Sequence, residues 1–313
     1  MLQMPAPKDN PLTPEGYRPN QILAGFLWMC ASAIGTGSMA VLAREMALHG
    51  SHPFQNAFLR AAVGLVLILP LLRHQRVSLR PTQPRLMFLR AALAAVPLTC
   101  TFYASAKIPL AQVSAIAFAA PILVVVLSVL ILHERVYLRR WIAVAIGFAG
   151  MIAILRPGSA AFELGTLVAA FGACAMAGVT LCVRLLGRTE PAERMVFWAT
   201  TGQFLFILPL ALSVWTWPGG TVILLAIGTG FCGTLGQYGL TRALQSAEAS
   251  VISPLTYLRL PYVALMAFFL YGEIPDAWTL IGAAVIIASA LYITHRERAR
   301  KGKAAVPVQA PPS

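Results

Sequence analysis

Val113–Leu132 reads VSAIAFAAPILVVVLSVLIL, a run without a single charged side chain. As a helix rising 1.5 Å per residue, a run of this length crosses the ~30 Å hydrocarbon core of a bilayer. It has none of the period-two alternation of polar and apolar residues that a barrel strand carries. The same signature recurs on both sides of it. Apolar runs of ~18–23 residues cover Ile22–Ala43, Phe54–Leu72, Leu86–Ser105, Val113–Leu132, Leu138–Leu155, Phe162–Val183, Met195–Val214, Thr221–Arg242, Ser250–Tyr271 and Ala277–His295. Short loops join them. The expected fold is all-α and integral to the membrane, with ten transmembrane helices.

The whole-chain numbers agree. Of 313 residues, 58% are hydrophobic and 11% are charged, against ~25% charged in an ordinary soluble domain. Mean hydropathy is +0.74. A soluble protein of this size cannot hide so much apolar surface, and no run has the amphipathic pattern of an outer layer. A soluble enzyme, a disordered protein and a disulfide scaffold are all excluded. Cys30, Cys100, Cys174, Cys182 and Cys232 lie inside apolar runs and form no CxxC pair. They read as small packed hydrophobes, not as metal ligands or disulfides.

The net charge of +13 points to nucleic acid or to a membrane surface, and the positions of the charges decide. With a cytoplasmic N-terminus, 18 of the 24 basic residues fall in inner segments: Lys8, Arg18, Arg73, Arg76, Arg80, Arg85, Arg135, Arg139, Arg140, Arg184, Arg188, Arg194, Arg242, Arg296, Arg298, Arg300, Lys301 and Lys303. The outer loops hold Arg44, Lys107 and Arg156, and the helices hold Arg60, Arg90 and Arg259. That is a positive-inside bias, which places both termini in the cytoplasm. It removes the nucleic-acid reading, because the basic residues are spread over every inner loop. Residues 1–20, rich in Pro, and 296–313, basic and then Pro-rich, read as flexible cytoplasmic tails. The N-terminal stretch lacks the apolar core of a signal peptide.

The chain resembles itself at an offset of about 140 residues. Val41-Leu42-Ala43-Arg44 reappears as Leu181-Cys182-Val183-Arg184, and Ile68-Leu69-Pro70 as Ile207-Leu208-Pro209. Leu132-His133-Glu134 returns as Tyr271-Gly272-Glu273, and Trp141-Ile142-Ala143 aligns with Leu280-Ile281-Gly282. Landmarks in one order and register favour a true repeat over chance likeness between apolar helices. Two five-helix halves result, 21–156 and 162–295. An odd helix number turns the second half upside down. Inverted repeats of this kind characterise secondary transporters, which exchange inward and outward openings by exchanging the conformations of the halves.

Ile108-Pro-Leu-Ala-Gln-Val-Ser-Ala-Ile-Ala-Phe-Ala-Ala-Pro121, the helix end Leu132-His-Glu134-Arg135 and then Gly147-Phe-Ala-Gly150 resemble an EamA-type domain of the drug/metabolite transporter superfamily. Ala247-Glu-Ala-Ser-Val-Ile-Ser-Pro254 with Tyr271-Gly-Glu273 is a looser second copy. The resemblance spans Ile22 to His295. It implies a ten-helix carrier with a central cavity, working by alternating access. The first half is most similar to the branch with S-adenosylmethionine and riboflavin carriers. Riboflavin-type members often carry an acidic residue in the fourth helix, where this chain has Ala117 and Ala119 around Phe118. The departure weakens the riboflavin option. Drugs and other metabolites, moved outward, remain an alternative within the superfamily.

Charge inside hydrocarbon costs at least ~2.5–3.5 kcal/mol for an Arg at a helix centre. Arg259 lies ~13 Å deep in the ninth run, with no acidic residue at similar depth in any helix. It reads as the residue that faces the cavity and binds an anionic group such as a carboxylate; an Arg satisfied by carbonyls and water is the alternative. Tyr257 and Tyr262 beside it, with Pro254 and Pro261, suit a broken, cavity-lining segment. Arg60, ~9 Å from the outer end of the second helix, reads as a substrate contact, or else snorkels or pairs with Glu45 or Glu273. Arg90, near an inner helix end, reads as snorkelling. Tyr103, Gln203, Gln237, Tyr238 and Trp198 complete the candidate substrate-binding set, offering stacking faces and hydrogen bonds to a planar or amphoteric metabolite. Interhelical bonds for the glutamines and an interfacial aromatic belt for Trp198 and Tyr103 are the alternatives.

Glu134 and Glu273 read as helix-end residues tying loops to nearby Arg rather than as proton-coupling sites, and the histidines all lie at loops or helix ends. Without a deep acid or His, exchange and uniport stand level with proton symport. Gly228-Gly230-Gly233 has GxGxxG spacing, but no strand precedes it and no acid follows on a βαβ unit, so close helix packing is the better account. An integral-membrane enzyme would need paired acids, clustered His or a metal site; the chain has no HxxxH, no DxxD and no convergent Ser/His/Asp set. No catalytic residue, metal or cofactor is expected. A channel is the remaining competitor. The expected partners are a small-molecule substrate and the lipid bilayer, with a homodimer left open. The resemblance implies a bacterial inner membrane.

Overall fold

The computed structural model describes residues 19–74, 77–132, 138–155, 163–187, 189–246 and 253–304. The helices are α1 (Pro19–Leu48), α2 (Pro53–His74), α3 (Pro84–Lys107), α4 (Leu110–Ala117), α5 (Ala120–Leu132), α6 (Leu138–Leu155), α7 (Leu164–Leu186), α8 (Ala192–Ser213), α9 (Gly220–Ser246), α10 (Arg259–Tyr271) and α11 (Ala277–Ala304), with a 3₁₀ turn at Ser253–Leu258 leading into α10. No strand occurs among the described residues. Pro19, Pro53 and Pro84 each open a helix, where a missing N–H costs no bond and a fixed φ is already helical.

Two of the ten spans are broken, the fourth where a continuous run was expected and the ninth beside its prolines. The run Val113–Leu132 starts earlier, at Leu110, and splits into α4 and α5 at Phe118–Ala119. Pro121 is the cause: its ring clashes with the carbonyl of residue 117 and it offers no N–H to continue the ladder. The backbone is satisfied by tighter bonds, Phe118 N–H to Ala115 O at 3.2 Å and Ala119 N–H to Ile116 O at 3.0 Å. In the ninth run the 3₁₀ turn gives way to α10 at Arg259, and Pro261 sits in the first turn of α10. The broken segment read from the prolines is therefore present. The basic stretch expected to begin a loose tail differs: α11 continues as helix through residues 296–303 to Ala304.

Seven segments are long and apolar enough to cross a membrane, α4 and α5 together forming one of them, and three shorter apolar helices lie at Trp141–Leu155, Leu255–Tyr271 and Ala277–Ser289. Together they match the ten runs. α1 packs on α9 and α3 on α7; α2 packs on α8; α6 packs on α11. The α1–α9 crossing is close because both helices present glycine there. A Cβ on Gly35 would lie 2.7 Å from the Cys232 carbonyl oxygen. Ser32 Oγ donates to Gly236 O across the same crossing at 2.8 Å. The largest cluster of buried apolar residues gathers at the α4–α5 break, with Phe118, Ile122, Val124, Val144 and Ile286. The outer surface is also apolar: Phe171, Leu224 and Phe269 are each more than 60% exposed. Such a surface is costly in water at ~25 cal/mol per Å² and costs nothing against lipid tails. The protein is a multi-pass integral membrane protein.

Candidate substrate site

Arg259 is the first residue of α10, at the junction with the 3₁₀ turn. Its Nε is buried and has no hydrogen-bond partner among the described residues. No carboxylate among them pairs with it either. The residue as a whole is half-buried, with its Nε covered. Tyr257, on the 3₁₀ turn, meets Phe118 at the α4–α5 break, ring centroids 5.1 Å apart and planes at 66°. Both helix breaks therefore come together beside Arg259. Sequence reading passed over Phe118 as a site residue, because an aromatic inside an apolar run looks like any other core residue.

Arg60 belongs elsewhere. On α2 it is 1% exposed, and its Nη1 donates to Gln203 Oε1 on α8 at 2.6 Å. Gln203 Nε2 in turn donates to Ala94 O on α3 at 3.2 Å. Gly233 on α9 makes the space: a Cβ there would stand 2.5 Å from Arg60 Nε. Two candidates are thus brought together with each other, as a clamp across α2, α3 and α8. Neither expected alternative for Arg60 occurs. Glu45 is taken by Tyr271, whose hydroxyl donates to it at 3.0 Å, and Glu273 by Arg44 at 2.6 Å. That last pair fits the reading of Glu273 as a helix-end tie. Its counterpart Glu134 lies outside the described residues.

Arg90 corrects an expectation. It does not snorkel; it is 6% exposed and donates through Nη1 to the Met195 carbonyl on α8. The α3–α8 packing puts that carbonyl within reach, and an acceptor inside the bundle replaces the one the headgroups would supply.

The remaining candidates spread over the bundle. Tyr238 on α9 donates to Glu193 Oε1 at 3.1 Å and accepts from Arg242 Nε at 2.8 Å. Arg242 Nη2 closes the triangle on Glu193 Oε1 at 3.1 Å, and Trp28 of α1 meets the Tyr238 ring edge-on at 5.5 Å. Gln237, one residue earlier, buries an Oε1 with no partner among the described residues. Trp198 Nε1 donates to Leu79 O at 2.9 Å, which ties α8 to the α2–α3 connection as an interfacial residue would. Tyr103 stacks on Phe54 with centroids 6.4 Å apart. The eight candidates form separate groups, with Arg259 and Tyr257 the pair beside both helix breaks. No group of three or more His, Cys, Asp or Glu able to hold a metal converges among the described residues.

Comparison with known proteins gives this geometry a context. The sequence profile of the EamA-like transporter family matches residues 23–156 and again 163–295. The chain is 26% identical over 277 residues to an S-adenosylmethionine uptake transporter of Rickettsia felis, covering 88% of this chain and 94% of that one. It is 31% identical over 280 residues to a riboflavin transporter of Vibrio cholerae serotype O1, covering 88% and 94%. It is 29% identical over 249 residues to the pseudopaline exporter CntI of Pseudomonas aeruginosa, covering 78% and 86%. A solved crystal structure superposes with a TM-score of 0.60 at 20% identity over 89% of this chain and 99% of its own, which speaks to the fold alone. These relatives are named as transporters and none as an enzyme. With its profile matched twice along nearly the whole membrane portion, the chain belongs to the EamA-like transporter family.

Proposed function

We propose that this protein carries a small polar metabolite, amphoteric or anionic, across a bacterial inner membrane by alternating access, with both termini in the cytoplasm. An S-adenosylmethionine-like or amino-acid-like substrate is favoured. The observation that carries the reading is Arg259: a guanidinium at membrane depth, at a break in its helix, with a buried Nε that no described group satisfies. Intramembrane charge of this kind belongs to a substrate pathway by default, and discontinuous helices are where transporters hold their cargo. In this reading Arg259 binds the anionic group and Tyr257 lines the same segment. Gln237 contributes a further polar atom, and Arg60 with Gln203 holds the scaffold.

The two halves, 21–156 and 162–295, act as inverted five-helix repeats. Three observations support this. The family profile matches once per half. Exchanging the halves turns the α1–α9 contact into the α7–α3 contact and leaves the α2–α8 and α6–α11 contacts on themselves. Both halves break the fourth of their five spans. The names of the relatives support metabolite cargo of more than one kind, and include both an uptake transporter and an exporter. Export within the same family is therefore the second reading.

Purified protein is screened against a metabolite panel for thermal stabilisation, since a ligand that binds only the folded state raises apparent stability. The hit is then tested for counterflow in proteoliposomes with Arg259→Ala. A well-folded Arg259→Ala protein that transports an anionic hit at the parental rate would remove Arg259 from the site. Saturable counterflow separates a carrier from a channel.

A further inference from the structure

At the far end of α10 from Arg259, ~20 Å along the helix, three elements meet on a single ion pair. Arg44, in the last turns of α1, places Nη2 2.6 Å from Glu273 Oε1. Its Nη1 donates to Ile108 O, in the turn between α3 and α4, at 2.9 Å. Glu273 Oε2 accepts the Leu110 N–H, at the start of α4, at 3.1 Å. The guanidinium also lies over the Tyr271 ring, 5.3 Å from its centroid. Tyr271 anchors itself to α1 by donating to Val41 O at 3.2 Å and Glu45 Oε2 at 3.0 Å. Gly272, at φ +66, ends α10 in a left-handed turn immediately before Glu273. Both charged side chains are largely covered, at 22% and 16% exposed. An ion pair in that setting, with each partner also bonded to backbone, holds its geometry better than a surface pair.

Directly beside this pair lies a cavity of about 290 Å³, lined among others by Ile108, Pro109, Gln112, Glu163, Asp276 and Thr279. Ile108 belongs to both structures: its carbonyl is held by Arg44 and the residue lines the cavity. The cavity and the ion pair therefore adjoin at Ile108.

We propose that Arg44, Glu273 and the Ile108–Leu110 turn form a latch that closes the transport path on the face opposite the basic loops, with the polar cavity as the vestibule outside it. Opening requires α1, the α3–α4 turn and the end of α10 to separate, and these contacts are what hold them together. The latch goes beyond the assignment of Arg259 and does not depend on which substrate Arg259 binds.

Thiol accessibility tests this without a known substrate. In full-length protein with its five native cysteines replaced, Ser38→Cys reports from α1 on the inner side of the latch. Gln237→Cys reports from the half of the bundle nearer the basic loops. A membrane-impermeant maleimide is applied from each face of sealed vesicles. With the latch intact, Ser38→Cys labels slowly from the latch face. Arg44→Gln and Glu273→Gln each raise that rate at least tenfold and lower the rate at Gln237→Cys from the opposite face, because opening one side closes the other. Arg44→Lys keeps the ion pair, loses the second bond to Ile108, and gives an intermediate rate. Lys107→Gln, a charge removed from the same face outside the latch, changes neither rate. Rates unchanged in both Gln variants would overturn the proposal. So would a rise at both reporters together, which marks general loosening. If either Gln variant fails to fold, the Arg44→Lys rate decides alone: a parental value refutes the latch.

Discussion

Arg259 and Arg60 are both intramembrane arginines, yet their surroundings ask different things of them. Arg60 is closed in by Gln203, and Gly233 leaves room for nothing larger than hydrogen. Gly233→Ala would force its Cβ to within 2.5 Å of Arg60 Nε, and overpacking of this order costs ~1–3 kcal/mol. The expected result is a lowered melting temperature without a change in substrate selectivity, read by thermal unfolding in detergent alongside the ligand screen. Arg259 has no such partner among the described residues. A hydrogen bond to a charged group contributes ~1.5–3 kcal/mol, so Arg259→Ala should raise the half-saturating concentration of an anionic substrate roughly ten- to a hundredfold. Its melting temperature should stay near the parental value. Stability and affinity thus move in opposite patterns for the two sites, and a substrate effect of Gly233→Ala larger than that of Arg259→Ala would reverse the assignment. The depth of Arg259 and its lack of an acidic neighbour were legible in sequence, because charge stands out in an apolar run. The Arg60–Gln203 bond was not, since it joins residues 143 positions apart through a helix packing that neither residue encodes locally.

Helices are tied to their connections by carboxylates at their ends, and these ties have their own signature. Glu190, just before α8, accepts from the backbone N–H groups of Thr82 at 2.5 Å and Gln83 at 3.3 Å and from Arg194 Nη1 at 2.6 Å. Burial pushes its carboxyl up, but the bonds to Arg194, Thr82 and Gln83 outweigh it and hold the group below the usual glutamate range. A depressed folded-state pKa means that the tie is stabilising above the unfolded value and is lost as pH falls through the folded one. The protection of the Thr82 and Gln83 amides, relative to their intrinsic exchange at each pH, should therefore be lost only below the ordinary glutamate pKa of about 4.3, as pH falls through the lowered folded value. In Glu190→Gln that protection should be low at every pH; amides that stay protected in that variant at every pH would refute the tie. At this scale the ten runs and the break beside Pro254 and Pro261 were readable, because Pro acts on its own helix; the break before Pro121 was not read. The exact place of each break was less so. The α4–α5 break falls at Phe118–Ala119, inside a run whose composition is uniformly apolar on both sides of Pro121.

For the whole molecule, the proposed topology, ten spans of alternating direction with the arginine-rich loops inside, would put both ends of the chain on one side. Reporter fusions at residue 1 and residue 313 should both give cytoplasmic signals; an external C-terminus would mean an odd number of crossings. Among the described residues no acid or His lies deep in a helix, so collapsing the proton gradient with an uncoupler should leave counterflow intact. Loss of counterflow would demand a proton carrier that neither half supplies. If the halves are inverted repeats, as proposed, one contact gains a meaning. Phe118 and Tyr257 are separated by the same offset that carries Ile68 to Ile207 and Glu134 to Glu273, which makes them counterparts, and their rings touch. Across a two-fold operation a point and its image coincide only on the axis, so a touching pair of counterparts marks where that axis runs. If the halves trade conformations as proposed, that line would be the fulcrum: the Phe118–Tyr257 separation should hold constant in every state while distances at the rim, Arg44 to Glu273 among them, lengthen and shorten like the ends of a lever.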